Sequence, residues 1–230
     1  MKITADAIIV AAGSGMRFGG AKQRSMLLGK PMYLHSLERF YQHPQIDKIV
    51  LAVSIDLLAE IKAEVKTLYA SERISVIVGG DTRQASVQNG LSSAHDNCEI
   101  ILVHDAARPG VSGQIITDVI ESSAEYGAAL AAVAMVDTLK RGENGMVSGT
   151  VSRENLWRAQ TPQGAKKQLL LQAFKQAESD GYTGTDEIEL LERIGVKVRI
   201  IAGSEENLKV TFPEDLQRLE KLLSNSKSFV

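Results

Sequence analysis

Cysteine is almost absent from this chain: Cys98 stands alone among 230 residues. That excludes an internal disulfide framework and fits a reducing compartment. No motif surrounds Cys98, so the sequence assigns it neither a nucleophilic nor a metal-binding role. No apolar stretch approaches the roughly 20 residues a membrane-spanning helix needs. The opening Met1-Lys2-Ile3-Thr4-Ala5-Asp6 runs straight into a strand-like segment, with no room for a signal peptide. A cytoplasmic location is expected. An excess of either charge is missing too: 26 Lys and Arg face 28 Asp and Glu, a net charge of −2. No global basic field therefore recruits nucleic acid or an acidic membrane, and neither is expected as a partner. His35, His43 and His95 lack metal-ligand spacing, and His104 reads as a strand-end packing residue. Trp157 and the methionines read as packing as well.

What is present is enough apolar residue, 44% of the chain, for the core of one α/β domain. Ala7-Ile8-Ile9-Val10-Ala11-Ala12 is a short continuous apolar run, as a strand buried on both faces should be. A glycine-rich loop follows, and Pro31 opens a helix to about Tyr41, with Leu34, Leu37 and Phe40 at helical spacing. The alternation continues with strands at 48–53, 74–78 and 100–104, helices at 56–68, 84–94 and 112–125, and a strand at about 128–136. Helices are expected at 166–179, at 186–194 and from Pro213, with a strand at 197–201. The pattern predicts a Rossmann-like α/β fold: a mixed, mostly parallel sheet with helices on both faces. The rhythm breaks between Asp137 and Leu156, a polar stretch dotted with Gly142, Gly145 and Gly149. It suits a hairpin projecting as an arm at about 137–157 from a single domain spanning 1–230.

In such sheets ligands sit at the carboxyl ends of the strands, which directs attention to the segments after Ala12, Val78 and His104. In the first, Ala11-Ala12-Gly13-Ser14-Gly15-Met16-Arg17-Phe18-Gly19-Gly20-Ala21-Lys22-Gln23, close-set glycines let backbone N–H groups approach an anion. Arg17 and Lys22 can add charge against a polyphosphate. Neither the GxGxxG fingerprint nor a GK[ST] phosphate loop is present, and a plain connection with solvated charges also fits the segment. Gly79-Gly80-Asp81-Thr82-Arg83-Gln84-Ala85-Ser86 opens a helix, so its amides could face a ligand; it also fits an ordinary turn with an N-cap. In Val103-His104-Asp105-Ala106-Ala107-Arg108-Pro109, Asp105 is suited to a hard divalent cation beside a triphosphate. A structural ion pair between Asp105 and Arg108 is the alternative.

Together these segments resemble the cytidylyltransferases of the methylerythritol phosphate route to isoprenoids, the 2-C-methyl-D-erythritol 4-phosphate cytidylyltransferase family. The resemblance continues through Asp137-Thr138-Leu139-Lys140, Arg153-Glu154-Asn155-Leu156-Trp157, Gln160-Thr161-Pro162-Gln163, Thr185-Asp186-Glu187 and Asn207-Leu208-Lys209-Val210-Thr211. It implies transfer of CMP from CTP to a polyol phosphate, with release of pyrophosphate. By the same resemblance Arg17 and Lys22 stabilise charge on the phosphates, and Ala11, Ala12, Gly13 and Gly15 lie along the nucleotide. Gly80, Asp81 and Ser86 would hold its cytosine and ribose end, and Asp105 would sit by Mg2+ or another hard divalent cation. Arg108, Thr138, Arg153, Thr161, Thr185 and Lys209 would form the acceptor pocket, with Arg153 and Lys209 aiming the nucleophile. The family's arm builds a homodimer with shared active sites.

One departure stands out. The family's first loop usually ends Pro-Lys-Gln and an aromatic residue, whereas here it reads Ala21-Lys22-Gln23-Arg24. A looser Lys22 loop and an added cation are the expected consequences. Ribitol- or ribulose-phosphate cytidylyltransferases share the three-segment layout, but Ala12-Gly13-Ser14, Ala106-Ala107-Arg108 and Thr185-Asp186-Glu187 each favour methylerythritol phosphate as acceptor. A nucleotide-binding regulator without turnover would not need Arg17, Lys22, Asp105 and Lys209 together.

Overall fold

A computed structural model of the chain describes residues 3–13, 18 and 22–225. Its centre is a seven-stranded sheet ordered β11-β7-β10-β6-β1-β4-β5. These strands are β1 (Ala5–Ala11), β4 (Ile46–Val53), β5 (Ile74–Val78), β6 (Ile100–Asp105), β7 (Ala128–Ala134), β10 (Trp157–Lys166) and β11 (Arg199–Ala202). Strand β10 runs antiparallel to β6 and β7, and every other pairing is parallel. Four further strands, β2 (Met26–Leu27), β3 (Lys30–Pro31), β8 (Leu139–Glu143) and β9 (Met146–Val151), form two separate ribbons.

Alternation along β1 divides the core in two. Ala7, Ile9 and Ala11 face a cluster built with Leu37 and Phe40 of α1 (Met32–Tyr41), Ile61 and Val65 of α2 (Ile55–Tyr69), and Ile116 and Val119 of α4 (Gly113–Tyr126). Ile8 faces the other way, with Val87 and Leu91 of α3 (Arg83–Leu91), Phe174 of α5 (Lys167–Ser179) and Leu191 of α6 (Glu187–Arg193). Both faces of the sheet are therefore covered, as its unbroken apolar strands require. A third cluster, which includes Leu27, Ala107, Val210 and Leu219, fastens α7 (Pro213–Asn225). No helix among the described residues is long and apolar enough to cross a membrane.

One sheet strand was not expected from the sequence. Strand β10 lies between β6 and β7 with residues 160–165 buried, yet it is made of Gln160, Thr161, Pro162, Gln163, Gly164 and Ala165. Such small and polar residues carry neither the β-branched signal nor the alternation by which strands are read. Pro162 cannot donate to a ladder, and the register shifts between Ala159 and Gln163 around it. Trp157, expected as a packing residue, is 45% exposed at the start of this strand.

The arm is a hairpin, as expected. Strands β8 and β9 pair only with each other, and Asn144 and Gly145 turn the chain with φ of 50° and 78°. Two consecutive positive φ values on Asn-Gly give the type I′ turn that matches strand twist. Most of the ribbon is exposed, including Met146 at 75% and Val147 at 68%.

Helix α3 lies close enough to β1 to need a glycine. A Cβ on Gly90 would come 2.5 Å from Cγ2 of Ile8, which is fully buried and cannot retreat. Replacing a helical glycine with alanine gains about 1 kcal/mol in propensity, but overpacking a core costs about 1–3 kcal/mol. Gly90→Ala is expected to lower unfolding stability in urea by ~1 kcal/mol net; a more stable variant would show that the interface yields.

Candidate active site

The carboxyl ends of β1, β4, β5 and β6 border one cleft of about 440 Å³. Ala12 and Gly13 line it from the first loop, Gly80 and Asp81 from the second, and Asp105 from the third. Lys22, Arg83, Ser86 and Lys209 line it too. Three segments far apart in sequence thus share one wall, as a parallel sheet with ligands at its strand ends dictates. Ser54 and Ile55, which follow β4, were not expected there.

The second loop is shaped by close approach. A Cβ on Gly79 would lie 2.5 Å from Cβ of Ala12, and one on Gly80 would lie 2.4 Å from Cβ of Ala85. Glycine at 79 lets the first and second loops touch, and glycine at 80 lets the second loop close onto the start of α3. Thr82 caps α3, its hydroxyl accepting from Ala85 N at 3.0 Å. Ser86 is buried; its Oγ accepts from Gly80 N at 3.0 Å and donates to Thr82 O at 2.9 Å. The ordinary N-cap is present, and the segment that it shapes forms a wall of the cleft.

Lys22 opens a short 3-10 turn, Lys22–Arg24. Its neighbour Gln23 is buried, and its Nε2 donates to Ala11 O and Gly13 O, each at 2.6 Å. The turn is thereby tied to the end of β1 without the proline. Arg24 does not line the cleft: it pairs with Glu60 at 2.5 Å and with Glu64, both on α2. The added cation is absorbed by structure. Gly15 and Arg17 lie outside the described residues.

Asp105 faces three cations. It is 6% exposed, and its carboxylate meets Lys209 Nζ at 2.7 Å, Arg83 Nε at 3.1 Å and Arg108 Nε at 3.7 Å. Burial alone would raise its pKa, but Arg83, Lys209 and Arg108 outweigh burial and hold it well below the usual carboxylate range. The structural pairing of Asp105 with Arg108 is therefore real but is the longest of the three. Arg108 spends its Nη atoms on Asn207 O at 2.8 Å and Ala159 O at 3.3 Å. Arg83, named in the motif but given no role, reaches on from Asp105 to Glu187, donating at 2.7 and 2.8 Å.

Thr161 is buried behind Asp105 and does not line the cleft: its hydroxyl accepts from Asp105 N at 3.0 Å and meets His104 Nδ1 at 3.0 Å. The Nε2 of His104 lies 3.1 Å from Arg108 O, so that nitrogen carries the proton and Nδ1 accepts from Thr161. His104 is a packing residue, as its sequence context suggested. The hydroxyl and backbone N–H of Thr185 both donate to Glu189, at 2.8 and 2.6 Å. Thr138 and Arg153 are exposed on the arm and do not line this chain's cleft; Arg153 donates to Val136 O.

Among the described residues no group of three or more His, Cys, Asp or Glu could hold a metal ion. Asp105 on the cleft wall still fits a hard cation carried by phosphates, since Mg2+ commonly takes one or two carboxylates plus substrate oxygens.

The buried imidazole has a consequence for stability. Burial pushes His104 down to about 3, against a smaller upward pull from Asp105. An unfolded histidine titrates near pH 6.5, so between about 6.5 and 3 the unfolded chain binds a proton that the folded chain refuses. Stability from this group falls as pH falls, by up to ~1.4 kcal/mol per pH unit. Asp105 adds to the loss only below its unfolded value near 3.9. Urea unfolding of His104→Asn between about pH 7 and pH 4.5 is expected to show a shallower slope, by close to one proton. An unchanged slope would mean that His104 is charged in the fold.

Comparison with known proteins agrees with this geometry. The family model for 2-C-methyl-D-erythritol 4-phosphate cytidylyltransferase matches residues 5–225. The bifunctional enzyme IspD/IspF of Desulfotalea psychrophila is 47% identical over 222 residues, covering 96% of this chain and 57% of that longer protein. The 2-C-methyl-D-erythritol 4-phosphate cytidylyltransferase of Syntrophus aciditrophicus is 37% identical over 99% of both chains. Among solved structures, 4-diphosphocytidyl-2C-methyl-D-erythritol synthase from Anaerococcus prevotii superimposes with a TM-score of 0.85 at 26% identity, covering 98% of this chain and 100% of the other.

Proposed function

The chain belongs to the 2-C-methyl-D-erythritol 4-phosphate cytidylyltransferase family, and we propose that it transfers CMP from CTP to 2-C-methyl-D-erythritol 4-phosphate. The observation that carries this reading is one cleft, of a size that suits a nucleotide, in which Lys22, Asp105 and Lys209 meet the two glycine loops. A phosphate oxygen of the acceptor attacks the α-phosphorus of CTP. A P–O bond forms there as the bond to the bridging oxygen breaks, and pyrophosphate leaves with that electron pair. The acceptor phosphate is largely dianionic at neutral pH, its second pKa being near 6, so no general base is needed. The buried, hydrogen-bonded His104 is consistent with that. The difficulty is repulsion between two anions, and positioned cations address it.

Lys22 and Arg17 stabilise charge on the phosphates, while Ala11, Ala12, Gly13 and Gly15 contribute to binding the nucleotide. Gly80 and Asp81 hold the cytosine and ribose end, with Ser86 shaping their loop. Asp105 would hold Mg2+ or a similar cation, which when bound neutralises triphosphate charge. Lys209 turns from Asp105 toward the acceptor phosphate, with Arg108 and Thr161 supporting that wall and Thr185 beside it. The test is pyrophosphate release from each nucleoside triphosphate with each candidate acceptor. CTP with methylerythritol phosphate is expected to be preferred; equal kcat/KM with UTP, or preference for ribitol phosphate, would overturn the assignment. Lys22→Ala is expected to lower kcat by about 100-fold or more with a smaller change in KM for CTP. Arg24→Ala, held on α2, is expected to stay within threefold of the parent; the reverse ranking would remove Lys22 from the chemistry.

The arm supports a further part of the reading: a homodimer in which Arg153 and Thr138 serve the partner's cleft. An isolated two-stranded ribbon is marginal in water, and this one exposes Met146 and Val147 next to its turn and is followed at its base by exposed Arg153, none of which lines its own chain's cleft. A two-fold partner repeats the same surface and covers it. Mixed dimers of Lys22→Ala and Arg153→Ala chains are expected to recover up to half of wild-type activity per dimer, since one site collects both defects and the other neither. Confirmed heterodimers as inactive as both parents would place Arg153 within its own chain's site.

A further inference from the structure

Arg83 is contested by two buried carboxylates. Its Nε donates to Asp105 Oδ1 at 3.1 Å, and its Nη1 reaches both oxygens of Glu187 at 2.7 and 2.8 Å. Glu187, at the start of α6, is 2% exposed. Burial alone would favour loss of the Arg83 proton, but Glu187 and then Asp105 outweigh it and keep the guanidinium charged. The mechanism above uses neither Arg83 nor Glu187.

A guanidinium is a rigid planar fork, so a carboxylate held on one of its nitrogens fixes where the others point. Here Glu187 holds Nη1 with both of its oxygens, and in the orientation this fixes Asp105 receives one contact, through Nε, while its carboxylate still borders the cleft. The place of Glu187 is fixed by neighbours that bind α3 to the segment before α6. Gln84 accepts from Gly184 N at 2.9 Å and donates to Tyr182 O at 3.2 Å, and Gln163 donates to Asp186 at 2.9 Å. With Glu187 ionised, two carboxylates face Arg83, Arg108 and Lys209; without its charge, Asp105 faces all three alone.

The geometry points to Glu187 as a positioning residue that acts through Arg83: by engaging the fork, it keeps Arg83 from closing on Asp105 and leaves that carboxylate open to the cation accompanying the CTP triphosphate. This rests on the cytidylyltransferase reading. Loss of the Glu187 charge frees Arg83 to turn and present two nitrogens to Asp105 in place of one, and the excess of positive charge further repels a divalent cation.

The experiment uses Mn2+ as the probe. Free Mn2+ is followed by electron paramagnetic resonance with saturating CTP and no acceptor, a readout independent of turnover. Glu187→Gln is expected to bind Mn2+ at least fivefold more weakly than wild type, and Glu187→Asp, which keeps the charge, to stay within threefold. The exposed Glu192→Gln on the same helix is the control and is expected to match wild type. In the double variant Arg83→Gln/Glu187→Gln nothing remains to clamp Asp105 from that side, so its Mn2+ affinity is expected to return to wild type or above. That variant also leaves no lone buried charge, and it replaces the single one if Glu187→Gln does not fold. Wild-type affinity in Glu187→Gln, or a double variant weaker than wild type, would overturn the positioning role. Wild-type enzyme that binds no Mn2+ with CTP, or releases no pyrophosphate from it, would instead overturn the underlying reading, and this one with it.

Discussion

A carboxylate sealed at the end of a central strand cannot stay ionised without cations, and the cleft is arranged around meeting that demand at Asp105. Strand β6 delivers the carboxylate, α3 delivers Arg83, the loop after β6 delivers Arg108, and the segment before α7 delivers Lys209. Breaking such a set by removing one partner is costly, because it leaves charge buried without compensation. The same cations that make Asp105 tolerable also make the cleft attractive to a polyphosphate, so stability and substrate charge are served by one arrangement.

The backing layer is as specific as the front. His104, Thr161, Gln160 and Asn207 form a buried polar chain in which Asn207 donates to Thr161 O at 2.8 Å and Gln160 donates to Ser204 O at 2.8 Å. Val210 N reaches Ala107 O at 2.9 Å, fastening the segment next to Lys209 against the third loop. These contacts rigidify loops that would otherwise connect freely, and a site built on fixed backbone needs little reorganisation when charge moves.

Much of this was legible in the sequence. The apolar runs at β1, β5 and β6 and the glycines or Asp105 that end them pointed to strand ends that border the cleft, most plainly at β1, which is buried on both faces and offers few polar positions to confuse the reading. The hairpin was legible from Gly145 and its surroundings. Strand β10 was not, since its burial is satisfied by side-chain hydrogen bonds rather than by apolar bulk, and composition cannot reveal bonding partners. Gln23 was quoted as motif text, but only coordinates reveal that it clamps Ala11 and Gly13. Arg83 and Glu187 stand 104 residues apart, and nothing in spacing tells a guanidinium which carboxylate it will meet. Arg24 was closer to readable, because Glu60 and Glu64 lie four apart on one helical face.

Strand β10 also joins two regions that are otherwise separate. It begins at Trp157, where it pairs with Ala134 beside the base of the arm, and ends at Lys166 inside the sheet. On the way it carries Thr161, whose hydroxyl accepts from the Asp105 amide. A strand resists stretching far more than a loop does, so β10 works as a tie-rod: tension on the hairpin is delivered to the backbone behind the buried carboxylate. Whatever braces the hairpin from outside therefore stiffens the catalytic floor from within.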